Sequence, residues 1–158
     1  MNLVRFRKWL FSVDETATTL AYAQCLISGA DECTCDDCRN YAQSRTNVPE
    51  EVAVFFKNVG IDYRKESEVW RAGTISANQH WYFGWYHFKG QLLEGTDCTV
   101  NLGNDRSTLE LESVSSNFSI GFTQAEAPSI FTDKTNLVQI EFSIVIPWVL
   151  SEHTKPDW

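Results

Sequence analysis

Three thiols, Cys33, Cys35 and Cys38, fall within the stretch Cys33-Thr34-Cys35-Asp36-Asp37-Cys38-Arg39-Asn40. The Cys35-x-x-Cys38 spacing lets two thiolates grip one ion, and Cys33 adds a third. Zinc takes four tetrahedral ligands in a closed structural site, or three with an open position in a catalytic one. Cys25, eight residues upstream of Cys33, is the expected fourth ligand, with Cys98, His80 and His87 as the other candidates. The same residues support a second chemistry. A cysteine at a helix N-terminus has its thiolate stabilised, so Cys35 would attack and Cys38 resolve in a thiol-dependent redox enzyme. Two features oppose that reading. Asp36 and Asp37 disfavour a neighbouring thiolate, and no βαβ setting surrounds the motif. The third reading is that the cysteines are small buried residues where a helix begins, as Cys often is.

The second concentration of unusual residues is His80-Trp81-Tyr82-Phe83-Gly84-Trp85-Tyr86-His87-Phe88. As a strand it puts Trp81, Phe83, Trp85 and His87 on one face and Tyr82, Tyr86 and Phe88 on the other. One face must be core. The other is either covered by helices or left as an aromatic platform for a sugar ring or the apolar anchors of a protein partner. Trp81, Trp85 and His87 are therefore the candidate binding residues. Arg39 joins them as an anion clamp, set against the plainer alternative of a solvated partner for Asp36. Glu110 and Glu112 share one face if residues 109–112 form a strand, which suits paired carboxylates but more often marks a solvent side. There is no G-x-S-x-G, H-E-x-x-H or P-loop sequence, so no catalytic set is expected.

The elements that must position these residues follow from periodicity and punctuation. The chain has 158 residues, 43% of them hydrophobic and 13% aromatic, including six Trp and ten Phe. One domain spanning 1–158 is expected, with enough chain to bury a core without staples. Residues 3–13 alternate with period 2, residues 18–27 form another β-branched and aromatic run, and the two together read as an antiparallel hairpin. A helix is expected from Cys35 to Ser44. Asn47-Val48-Pro49-Glu50-Glu51 opens a second, with Val52, Phe55, Phe56 and Val59 on one face and Gly60 beyond its end. Strands follow at 68–74, 80–93, 98–102, 109–112, 117–123 and 139–150. Pro147 makes the end of the last an edge or bulge, and residues 151–158 form a polar tail. The class is α+β, mostly β: an antiparallel β-sandwich or open barrel with a two-helix insertion over 35–59.

With 13 basic and 21 acidic residues the net charge is -8. That disfavours nucleic acid and anionic membrane and suits a partner with a basic surface, as in an immunity or inhibitor protein. No window is apolar for long enough to span a bilayer. The basic residues near Met1 are not followed by the apolar core of an export signal, and five cysteines is an odd number. Reduced thiols in the cytoplasm are expected.

The run Cys33-x-Cys35-x-x-Cys38-Arg39-Asn40, then Gly60-Ile61-Asp62, then Gly84-Trp85-Tyr86-His87-Phe88, resembles a family of small uncharacterised bacterial proteins. These share a CxCxxCRN stretch, a helix ending in GID and an aromatic GWYHF strand. The likeness spans roughly residues 33–90. It implies that the thiols and the aromatic strand belong to one small bacterial domain, and it brings no catalytic residues. The sequence thus points to a non-catalytic cytoplasmic binding module with a structural zinc. The alternatives are the Cys35/Cys38 redox enzyme and carbohydrate binding on the aromatic strand.

Overall fold

The computed structural model describes residues 1–45, 48–124 and 127–158. In chain order the elements are β1 (Asn2–Phe6), β2 (Trp9–Val13), α1 (Glu15–Gln24), α2 (Gly29–Glu32), α3 (Asp36–Ser44) and α4 (Glu50–Val59). Then come β3 (Glu68–Ser76), β4 (Gln79–Glu94), β5 (Thr99–Gly103), β6 (Arg106–Leu109), β7 (Glu112–Ser115), β8 (Phe118–Thr123) and β9 (Leu137–Ile146). The class is α+β and mostly strand, without a closed barrel. Seven strands form one antiparallel sheet in the order β1-β2-β4-β9-β8-β7, with β3 also paired to β4; β5 and β6 make a separate two-stranded hairpin.

The 16-residue β4 is the spine of the sheet. Its first half pairs with β3, its last residues pair with β2, and β9 runs along His80 to Lys89. Its even positions, His80 to Gly90, are all buried. Their partners across β9 and β8 continue the same face: Ile144, Phe142 and Ile140, then Phe118, Ile120 and Phe122. Helix α4 lays Val52, Phe55, Phe56 and Val59 on this face. Phe55 meets Phe6, Phe11, Phe88 and Phe122, and Phe56 meets Tyr86 at 4.8 Å between ring centroids. Each fully buried ring removes about 150–250 Å² from water. At about 25 cal/mol per Å² this face is the main source of stability.

The hairpin expected over 3–27 is a correction. The hairpin closes within the first thirteen residues, around Arg7, whose φ is 51°. Residues 15–24 are helical, so the helical segment begins well before Cys35. The Thr-rich run mimicked a strand, but Asp14 caps a helix by accepting from the Ala17 N–H at 3.0 Å. The buried residues then fall at Thr18 and Tyr22, four apart on one helix face. Thr18 Oγ1 accepts from the Lys89 N–H, and the Tyr22 hydroxyl donates to the His87 carbonyl at 2.8 Å. Helices α3 and α4 lie where expected, and Gly60 takes the left-handed conformation, φ 89°, that ends α4. Asn47, offered as the start of α4, lies outside the described residues. The strand expected at 109–112 is also corrected: β6 ends at Leu109 and β7 starts at Glu112, so Glu110 and Glu112 share no strand face. Strand β9 stops at Ile146, because Pro147 has no N–H for the ladder.

Gly84 is fixed by a close approach. A Cβ there would meet the Glu68 carbonyl oxygen at 2.5 Å and the Phe142 ring at 2.7 Å. Gly84→Ala is expected to cost about 1–3 kcal/mol by overpacking, read as a lower urea midpoint at unchanged slope. An unchanged midpoint would show that Phe142 and the β3 backbone can retreat.

Candidate functional site

Cys33, Cys35 and Cys38 come together where α2 hands over to α3. Their sulfurs all lie within 4.8 Å of one another, and theirs is the one such group of three or more metal-ligating side chains among the described residues. Helix α3 builds the site. Cys35 is its N-cap, in extended conformation, and its sulfur accepts from the Cys38 N–H at 3.5 Å. The Cys33 sulfur accepts from the Cys35 N–H at 3.5 Å and lies 3.1 Å from the Cys35 sulfur. Backbone donors aimed at sulfur favour the thiolate. Accordingly the Cys35 N–H and the adjacent sulfurs hold the Cys33 thiol below its ordinary value. Cys38 is buried, and burial, then the neighbouring sulfurs, push it up. No cysteine is in a disulfide. The cluster is close enough to bind a metal ion.

The other expected ligands do not join. Cys25 lies outside the cluster, its thiol donating to the Ile27 carbonyl at 3.1 Å. Cys98 is buried against Gly121 of β8. His80 is buried beneath Trp148, with Nδ1 3.4 Å from Arg71. His87 belongs to a different part of the sheet.

A polar clasp ties the thiol loop to the sheet. Asp37 pairs with the buried Arg71 of β3 at 3.1 Å, and its carbonyl accepts from the Tyr82 hydroxyl at 2.8 Å. Asn40, fully buried, donates to the Pro147 carbonyl at 3.1 Å and accepts from the Val149 N–H at 2.7 Å. Arg71 also donates to the Trp158 carbonyl at 2.8 Å and lies 4.1 Å over its ring, so the expected polar tail is anchored at its last residue. Arg39 is exposed and pairs with Asp36 at 2.9 Å. Asn40 and Arg71 escaped the sequence reading. The spacing Asp37, Asn40, Tyr41, Ser44 was the available signal, because i, i+3, i+4, i+7 marks one helix face.

Helix α4 covers the even face of β4. On the odd face Trp81 is 38% exposed and Trp70 of β3 is 43% exposed. Trp70 stacks on Phe83 at 5.9 Å, Trp81 lies 4.6 Å from Phe83, and Trp85 meets Trp70 edge-on at 5.7 Å. The Trp85 indole donates to the Pro128 carbonyl at 3.0 Å. The β5–β6 hairpin forms the far wall, leaving a groove of about 630 Å³ between Trp70, Trp81, Phe83 and the residues Leu109, Leu111 and Ser143. Trp81 faces this groove, whereas Trp85 is half-buried beside it.

His87 is not part of that platform. It is 1% exposed. Its Nε2 lies 3.0 Å from Gln139 Oε1, and Gln139 Nε2 donates to Glu141. Burial lowers His87 to about 4 and raises Glu141. No known protein family, curated protein or solved structure matches the chain.

The sign of the His87 effect follows from linkage. The folded value lies below the unfolded value of about 6.5, so the unfolded chain binds the proton first. The stabilisation is complete above pH ~6.5 and drains away as pH falls towards about 4, at up to ~1.4 kcal/mol per pH unit. Denaturant melts at pH 7 and pH 4.5 should therefore show a smaller loss for His87→Gln than for the parent chain. Equal losses would place the acid sensitivity elsewhere.

Proposed function

We propose that this protein is a non-catalytic binding module in which zinc, held by Cys33, Cys35 and Cys38, braces the sheet beside an aromatic recognition groove. The observation that carries the reading is the convergence of three sulfurs within 4.8 Å, two of them accepting backbone N–H bonds. Soft thiolates select zinc and related ions. Three protein thiolates leave the fourth tetrahedral position to water or to a group from a partner. An ion there would fix the start of α3, and with it Asp37 and Asn40, against β3 and β9. The resemblance to small bacterial proteins with a CxCxxCRN stretch fits this reading, as does reduced thiol chemistry in the cytoplasm. The net charge of -8 favours a partner with a basic face. The redox reading fares worse, because the Cys35-x-x-Cys38 motif follows helix α2 and not a strand of a βαβ unit. No helix among the described residues is long and apolar enough to cross a membrane.

Full-length protein prepared without chelator is expected to hold one zinc per chain. Cobalt in its place should give thiolate-to-metal absorption. Serine at Cys33, Cys35 or Cys38 should abolish binding, while Cys25→Ser and Cys98→Ser retain it. Chelation should lower the melting temperature, since metal affinity is folding free energy. A metal-free chain whose melting ignores both zinc and chelator removes the zinc from the proposal.

The groove supports a second reading, carbohydrate binding, because Trp70 and Trp81 offer half-exposed ring faces beside the Ser119 and Ser143 hydroxyls. A glycan ligand should shift Trp fluorescence, and Trp81→Ala should lose most of that shift. A flat spectrum across a broad panel leaves the groove to a protein partner.

A further inference from the structure

Three sulfurs meet at the start of α3 without a fourth donor. The Cys33, Cys35 and Cys38 sulfurs lie within 4.8 Å of one another, and no other His, Cys, Asp or Glu among the described residues joins the group. The carboxylates nearest in sequence are already paired, Asp36 with Arg39 at 2.9 Å and Asp37 with Arg71 at 3.1 Å. A tetrahedral ion must therefore take its last ligand from outside the cluster, whereas a three-coordinate ion is complete within it.

The spacing of the sulfurs favours narrow bond angles. Two sulfurs on a tetrahedral zinc with bonds of about 2.3 Å stand about 3.8 Å apart, and a planar three-coordinate ion spreads them further. The Cys33 and Cys35 sulfurs are 3.1 Å apart. Trivalent arsenic and antimony carry a lone pair that presses their three bonds into a pyramid, with angles below tetrahedral. Charge points the same way. Three thiolates on zinc leave one net negative charge, and burying charge is costly. Three thiolates on a trivalent ion leave none, which suits a site whose Cys38 is 7% exposed. Entry is open on the other side, because Cys35 is exposed and Cys33 half-buried.

We propose that this cluster is a receptor for a trivalent thiophilic hydroxide, arsenous acid being the type, bound through all three sulfurs. The proposal rests on the same convergence of thiols as the zinc reading but does not require zinc. Binding is ligand exchange without oxidation or reduction: As(OH)3 and three Cys–SH give As(S–Cys)3 and three H2O. Each As–O bond that breaks is replaced by an As–S bond, and each thiol proton leaves on a departing hydroxyl. Arsenous acid is uncharged at neutral pH, so a chain of net charge -8 does not repel it.

The test titrates sodium arsenite into the full chain, reduced with a phosphine and stripped of metal by chelator. One equivalent should bind, and arsenic X-ray absorption should count three sulfur neighbours and no oxygen. The melting temperature should rise, because a site built by the fold binds the native chain better than the unfolded one. Cys33→Ser, Cys35→Ser and Cys38→Ser should each weaken binding by at least about tenfold, while Cys25→Ser and Cys98→Ser leave it unchanged. Chain that has been loaded with zinc should release it as arsenite binds. Two sulfurs and an oxygen around arsenic, or binding with no rise in melting temperature, overturns the proposal. Bound zinc that arsenite fails to displace also overturns it and leaves the zinc reading standing. Arsenite held by three sulfurs in a chain that takes up no zinc upholds it and removes the zinc reading alone.

Discussion

Everything in this protein is laid against β4. A strand alternates its side chains with period 2, so one 16-residue segment must satisfy two unlike environments at once. The even positions meet helices and pack to crystal-like density, with Gly84 admitting the Phe142 ring where any side chain would collide. The odd positions lie on the other face, where Trp81 is 38% exposed. Their character is set by small local arrangements: the ring row at the β3 end, the His87–Gln139–Glu141 relay further along, and the hairpin wall opposite. A slip of β4 by one residue against β9 would turn its two faces over and put His87 into the aromatic core. The register and the candidate sites are therefore one specification.

The thiol loop sits at the edge of this arrangement but is not loosely attached. Asp37 and Asn40 face inward from the same helix whose N-terminus orders the sulfurs, and each is met by groups of the sheet or its following loop. The Arg-Asn pair after the third cysteine thus divides its work. Arg39 is solvated, and Asn40 holds chain segments more than a hundred positions apart in sequence. Such a buried amide is fully committed, and losing either of its partners would strand a polar group.

How much of this was legible in the sequence depended on whether a signal was local. Helix α4 announced itself through Pro49, two Glu and an i, i+3, i+4, i+7 apolar face, and Gly60 marked its end. The aromatic strand declared its length and its two faces, though not which face would be covered, because that depends on where helices far away in sequence dock. Residues 15–24 misled because β-branched threonines mimic a strand, while the deciding interaction was one side-chain cap from Asp14. The three clustered cysteines were correctly seen as a unit. Cys25 was attached to them by sequence proximity, which the turn through α1 and α2 undoes. His87 carried an aromatic neighbourhood in the sequence and a polar one in the fold. Its partner Gln139 lies 52 positions away, at a distance no local pattern spans.

The β5–β6 hairpin shares no ladder with the large sheet. It is moored at its base, where the Cys98 N–H reaches the Phe122 carbonyl, Asp97 receives Thr123, and Cys98 and Leu111 nest over Gly121. A two-stranded ribbon is marginal by itself, so its orientation is inherited from that small mooring. Scaffold and groove wall are consequently separable in heredity. Residues along β6, all solvent-exposed, can change without touching the core, whereas a Cβ at Gly121 would press on Cys98 at 2.6 Å, where the hairpin is moored. A lineage built on this chain could reshape this groove while every strand of the main sheet stayed as it is.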